Sequence, residues 1–347
     1  MIYGAAGNTG RLAAAPWTWA AIAVCVTGLA IIALSVGRYP VAAGDLAGLL
    51  WAALTGSEHG FDPALETVVL KIRGPRIVAA LLIGAALAAA GAAYQNLFRN
   101  PLVSPDLLGV SAGAAVGAVL GIFFSFNMIM IQSLAFAGGL GAVGLVYVTA
   151  RAVRGHDPVL VLVLAGVVIG SLLGACVALM KYLADPYNQL PAITFWLLGS
   201  LASAGPDDIG PALPLMLIGL APLWLLRWRI NVLSLDDDEA RALGVETGRI
   251  RFLVIAAATL MTSAAVALSG VIGWIGLVIP HFARMLVGPD FSRLLPASVL
   301  LGAAFLLGVD TLARTVARIE IPLGVLTAFI GTPLFLWQLA TARRGWQ

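Results

Sequence analysis

The sequence predicts an all-helical integral membrane protein, and three observations carry that reading. Of 347 residues, 61% are hydrophobic and only 11% charged, where soluble domains carry about 25% charged residues. The mean hydropathy is +0.99. The apolar residues also come in long unbroken runs, not in the alternation that the strands of a membrane barrel require. The 39 glycines fit a helical bundle in lipid, because small residues let helix backbones approach closely.

A helix needs about 20 apolar residues to cross the hydrocarbon core. Ten windows are predicted as spans: 17–37, 74–97, 107–125, 128–150, 159–183, 209–228, 251–269, 271–288, 295–318 and 322–341. The first is expected to be a retained helix, because no small-residue cleavage site follows it. The shorter apolar piece 191–203 is expected to lie as a helix at the membrane surface. The whole chain, 1–347, reads as one transmembrane domain with a polar cytoplasmic segment at 229–250.

Orientation follows from the side richer in Lys and Arg. With both termini cytoplasmic, thirteen arginines face inward: Arg11, Arg99, Arg151, Arg154, Arg227, Arg229, Arg241, Arg249, Arg251, Arg284, Arg293, Arg343 and Arg344. Seven basic residues face outward: Arg38, Lys71, Arg73, Arg76, Lys181, Arg314 and Arg318. The outer cluster KIRGPR (71–76) runs against the rule and needs its own reason. Cys25 and Cys176 sit inside apolar runs and read as packing residues. His59, His156 and His281 are scattered, so no metal site is expected.

Two polar stretches stand out. The first, YQNLFRNPLVSPDLLGVSAGAAVG (94–117), joins two apolar runs. Its Gln95, Asn96, Arg99 and Asn100 are expected to satisfy backbone groups freed at Pro101 and Pro105. In the second, RINVLSLDDDEARALGVETGRIR (229–251), Ser234 precedes the acidic turn Asp236–Glu239 and Gly244 ends it. That pattern predicts a short capped helix whose first turn suits the helix dipole. It serves equally as a docking element or a solvated loop.

Three segments carry a family resemblance: 73–118, SGVIGWIGLVIPHFARMLVGPDFSRLLP (269–296) and EIPLGVLTAFIGTPLFLWQL (320–339). In order and spacing they resemble the FecCD family, the permease subunits of ABC importers for iron siderophores, haem and cobalamin. The resemblance implies the FecCD-type (type II) fold of ten transmembrane helices in the bacterial inner membrane. It also implies pairing of two permeases, two cytoplasmic ATPase subunits that bind ATP and Mg, and a periplasmic or lipid-anchored binding protein. The chain has no GxxxxGK[ST] loop, so hydrolysis belongs to a partner and no cofactor or catalytic residue is expected here.

By motif position the resemblance places Arg73, Arg76 and Arg314 on the binding-protein side. Forked guanidinium bonds to carboxylates suit that role, and the competing reading is headgroup contact or internal pairing, Arg314 with Asp310. It turns 234–249 into the ATPase-coupling helix, with Leu235, Ala240, Leu243 and Gly244 as the apolar contact. Asp236, Asp237, Asp238, Glu239 and Arg241 surround that contact. The span 159–183 would line the path, with a constriction at Val159 and Leu160 and a smooth stripe of Gly166, Gly170 and Gly174, which helix packing also explains. The implied cargo is an iron chelate, a ferric siderophore first, with haem and cobalamin as alternatives. The rival from another class is an ion-coupled secondary transporter, which needs mid-membrane carboxylates that are nearly absent. Nucleic acid is not an expected partner.

Overall fold

The computed structural model describes residues 16–56, 60–153 and 158–342. Arg11, His59, Arg154, His156, Arg343 and Arg344 lie outside these residues. Every regular element among the described residues is helical. In chain order the α-helices are α1 (Pro16–Ser35), α2 (Ala43–Thr55), α3 (Pro63–Glu66), α4 (Gly74–Leu97) and α5 (Val110–Phe123). Then follow α6 (Met128–Ala152), α7 (Pro158–Leu183), α8 (Gln189–Leu198), α9 (Pro206–Leu225) and α10 (Arg227–Val232). The last five are α11 (Asp237–Ala242), α12 (Thr247–Ser269), α13 (Ile275–Val287), α14 (Phe291–Thr315) and α15 (Leu323–Ala342).

Helix α4 is the centre of the bundle. Its sequence GPRIVAALLIGAALAAAGAAYQNL is apolar on every side and built largely of Ala and Gly. A helix apolar all round belongs inside, and here α14, α12 and α13 surround α4. The small residues set the spacing. A Cβ on Gly84 would overlap the backbone of Gly302 on α14, and one on Gly302 would overlap Gly84. Gly91 meets Gly276 of α13 in the same way. Helix α5 packs on α6 through a second such pair, Gly113 and Gly138.

Among the described residues, seven helices are long and apolar enough to cross a membrane: Pro16–Ser35, Pro63–Leu97, Met128–Ala152, Val159–Leu183, Pro206–Leu225, Thr247–Ser269 and Phe291–Thr315. Two of the ten expected windows are shorter as helices, Val110–Phe123 and Ile275–Val287, while the window 322–341 forms α15, Leu323–Ala342. For 107–125 and 271–288 the cause is visible. The first window opens on a 3₁₀ turn, Pro105–Leu108, closed by Gly109 at φ 80°. The second opens on an irregular link with Gly270 at φ 70° and Trp274 at φ 72°. Such backbone is tolerated at depth only where protein surrounds it. Around the second link, Ser200 N donates to Ser269 O at 2.8 Å and Leu323 N to Gly199 O at 3.0 Å. The piece 191–203 forms a helix only to Leu198, after which Gly199, at φ 72°, turns the chain.

A seven-residue π-helical turn, Thr67–Arg73, joins α3 to α4. Gly74 N bonds Val69 O across the wide turn, just before Pro75, which has no N–H to give. Cys25 and Cys176, expected as packing residues, lie on exposed faces of α1 and α7.

Candidate functional site

The basic cluster at the N-terminus of α4 faces into the protein. Arg73 and Arg76 are three residues apart and share one helix face, the buried one, while Lys71 is exposed. Arg76 is 7% exposed. Its Nε and one terminal nitrogen donate to the Asp310 carboxylate at 2.9–3.1 Å. It also forks onto Glu320 at 2.9 and 3.1 Å. Arg314 lies 3.3 Å from Asp310, its i−4 neighbour on α14, and donates to Ala33 O at 3.0 Å. Arg73 donates to Leu34 O and to Tyr39 O.

Arg73, Arg76 and Arg314, expected on the binding-protein side, are buried, and internal pairing, the competing reading, is present. Their hydrogen bonds and ion pairs run within the chain and join the last turn of α1, the start of α4 and the end of α14. Arginines at the carbonyl end of a helix also match its dipole. Of this network, the Arg314–Asp310 pair was legible from its i,i+4 spacing. The Glu320 partner was not, because 244 residues separate it from Arg76.

At the opposite end, the two polar stretches meet. Arg99, itself at φ 50°, bonds Asp236 at 2.8 Å. Asn96 Nδ2 donates to Ile230 O at 2.8 Å, and Ser234 Oγ lies 3.3 Å from Asn96 Oδ1. Gln95 Nε2 donates to Leu277 O at 2.9 Å. Only Asn100 acts locally, its Oδ1 accepting from Leu102 N at 2.9 Å. So Gln95, Asn96 and Arg99 do not serve the backbone beside the prolines; they tie the turn to α10, α13 and the head of α11.

Helix α11 is short, as expected, but Ser234 is not its cap. Asp236 holds the N-cap position without a side-chain cap bond, and Ser234 turns toward Asn96. Asp237 forms a forked pair with Arg251 of α12, at 2.5 and 2.9 Å. Ala240 is fully buried and anchors the helix. Leu235 and Leu243 are exposed, Leu243 by 54%, as are Asp238, Glu239, Arg241 and Gly244. Gly244 sits at φ 78°, a conformation glycine adopts without steric cost. Asn231 completes the platform: it donates to Asp290 at 2.6 Å and accepts from Phe291 N at 2.7 Å, holding α10 to the start of α14.

Along α7 the expected residues divide. Gly166 packs against the backbone at Leu107 and Leu108 in the 3₁₀ turn, and Gly170 approaches Gly109. Gly174 has nothing near its Cβ side. The glycine stripe is thus in part a packing seam. The face of α7 left uncovered in this chain carries Leu160, Leu164, Val168 and Leu172. Val159 borders a cavity of about 1010 Å³ between α6, α7 and α12.

An exposed apolar helix face beside a polar platform suits one subunit of a larger membrane assembly, and comparison with known proteins agrees. The model of the FecCD transport family matches residues 23–341. The chain belongs to the FecCD transport family. It is 40% identical over 316 residues to the molybdate import system permease protein MolB of Haemophilus influenzae, covering 91% of this chain and 93% of that protein. It is 42% identical over 280 residues to a probable iron chelatin transport system permease protein of Helicobacter pylori, covering 81% and 84%. The cobalamin import system permease protein BtuC of Halobacterium salinarum is 40% identical over 316 residues, with 89% and 84% covered. A solved structure described as an inward-facing metal-chelate type ABC transporter superposes with a TM-score of 0.85 at 37% identity, covering 94% of this chain and 99% of that one. This FecCD chain is the permease of an ABC importer; the ATPase is a separate subunit, and the secondary-transporter reading falls.

Proposed function

We propose that this permease crosses the inner membrane ten times, with both termini cytoplasmic, and imports an iron chelate, a ferric siderophore first. The observation that carries the importer reading is the platform of α10 and α11, which bonds to the α4–α5 turn, α12 and α14 at one end of the bundle. Leu235, Leu243 and Gly244 form the contact for an ATPase subunit, ringed by Asp238, Glu239 and Arg241. Asp236, Asp237 and Ala240 pass its movement to α4 and α12. Two permeases enclose the path, with the apolar face of α7 toward it; Val159 and Leu160 narrow its cytoplasmic mouth, and Gly170 and Gly174 leave width for a bulky cargo. A binding protein docks at the other end, where Arg38, Lys71 and Arg318 are exposed. There Arg73, Arg76 and Arg314 support the docking surface from within.

Haem and cobalamin are the second reading. The hemin transport system permease protein HmuU of Yersinia pestis is 40% identical over 293 residues, 81% of this chain. Uptake by proteoliposomes holding the permease, its ATPase and its binding protein tests the reading. ATP-dependent accumulation of a ferric siderophore above haem, cobalamin and molybdate supports it; selective accumulation of one of the others replaces the proposed cargo.

A further inference from the structure

The cavity of about 1010 Å³ beside α11 carries Arg151 and Arg249, to which the proposed coupling contact gives no role. Among the described residues, four arginines line it, Arg151, Arg241, Arg249 and Arg251, with one carboxylate, Asp237. Asp237 is committed to Arg251. Arg249 and Arg241 have only surface partners, Glu246 at 2.9 Å and Asp238 at 3.8 Å, and exposed pairs of that kind are worth little. Arg151 lies over the Tyr147 ring, 5.6 Å from its centroid. Tyr147 in turn stands 5.5 Å from Phe252, so an aromatic pair shapes one wall.

An apolar groove of about 440 Å³ continues from this cavity between α6, α9 and α12, sharing Tyr147, Phe252, Leu253 and Ile255 with it. Its far end reaches Leu140 on α6 and Leu260 on α12. Leu140 precedes Arg151 by eleven residues, and Arg249 precedes Leu260 by eleven. At 1.5 Å per residue each helix runs about 16 Å over that distance, about half of the roughly 30 Å hydrocarbon core. A cationic mouth joined to an apolar groove one leaflet deep matches a phospholipid standing in the membrane, headgroup at the arginines and an acyl chain along the groove.

We propose that this cavity and groove form a binding site for an anionic phospholipid of the leaflet on the ATPase side. Basic pockets between membrane helices attract anionic headgroups at about a factor of five per arginine. A lipid there touches α6, α7, α11 and α12 together, the elements that link the coupling platform to the proposed path. The choice of leaflet rests on the proposed orientation; the lipid preference does not.

Native mass spectrometry of the delipidated permease tests this, with phosphatidylglycerol, phosphatidylcholine or inorganic phosphate added separately. Phosphatidylglycerol is expected to stay bound while phosphatidylcholine and phosphate are lost. Replacing two arginines, Arg151→Gln with Arg249→Gln, should weaken phosphatidylglycerol binding about thirtyfold. Gly144→Trp, placed in the groove where Gly144 has open space on its Cβ side, should weaken it as well with the arginines intact. Equal retention of both lipids, phosphate binding as tight as phosphatidylglycerol, or no effect of either variant overturns the proposal. So does displacement of bound lipid by the ATPase subunit, which would make the face a protein interface. A failure of uptake with lipid preference intact sinks the transport reading and leaves this one standing.

Discussion

Asp310 is the residue on which the arginine cluster of α4 and α14 depends. It is completely buried and receives Arg76 and Arg314 together, so its loss strands two guanidinium groups away from water. Removing one partner of a buried ion pair costs about 3–5 kcal/mol. Asp310→Asn should therefore lower stability by about 3 kcal/mol in denaturant unfolding of the detergent-solubilised protein. Glu320 has a side chain 36% exposed, and Glu320→Gln should cost under about 1 kcal/mol. Equal losses for the two would mean that water reaches the whole cluster. The sequence makes Asp310 suspect as a charge within a span and offers Arg314 by spacing. It cannot offer Arg76 and Glu320, because the contact joins the two ends of the chain and no local pattern encodes it. The same holds for Asn96 with Ile230 and Arg99 with Asp236.

At the scale of elements, the predicted helices formed wherever an apolar run was uninterrupted. The windows 107–125 and 271–288 misled because hydropathy averages over a turn: Pro105, Gly109, Gly270 and Trp274 bend the backbone without making the segment polar. The left-handed Trp274 could not be foreseen at all, since only its packing against Phe335 and Gly331 shows what holds it. The close approach of α4 and α14 was legible as a taste for small residues, but not which glycines meet. Gly84→Val places a branched side chain against the Gly302 backbone, where no side chain can move aside. It is expected to abolish the monodisperse peak in size-exclusion chromatography. Gly141→Val, where nothing lies within 4 Å, should leave that peak unchanged. Identical behaviour of the two variants would contradict the packing account.

For the whole molecule, the two ends are built differently. One is a locked cluster in which Arg73, Arg76 and Arg314 hold α1, α4 and α14 together. The other is a platform, α10 and α11, bonded to the α4–α5 turn, α12 and α14, with a small exposed surface of Leu235, Leu243 and Gly244. The family and the importer class were legible in three motifs. The α10–α11 platform was legible as a polar segment; its attachment through Asp236 to Arg99 and Asp237 to Arg251 was not. In the proposed mechanism, ATPase closure pushes on that exposed surface and the bonded helices follow. The direct test is ATP hydrolysis by the partner ATPase in proteoliposomes, with wild-type permease and with Gly244→Trp. At φ 78° the tryptophan carries backbone strain of about 1–3 kcal/mol, but it stands on an exposed turn with open space beside it, so the permease should still assemble while its stimulation of hydrolysis by loaded binding protein is lost. Full stimulation by an assembled Gly244→Trp complex would contradict the account.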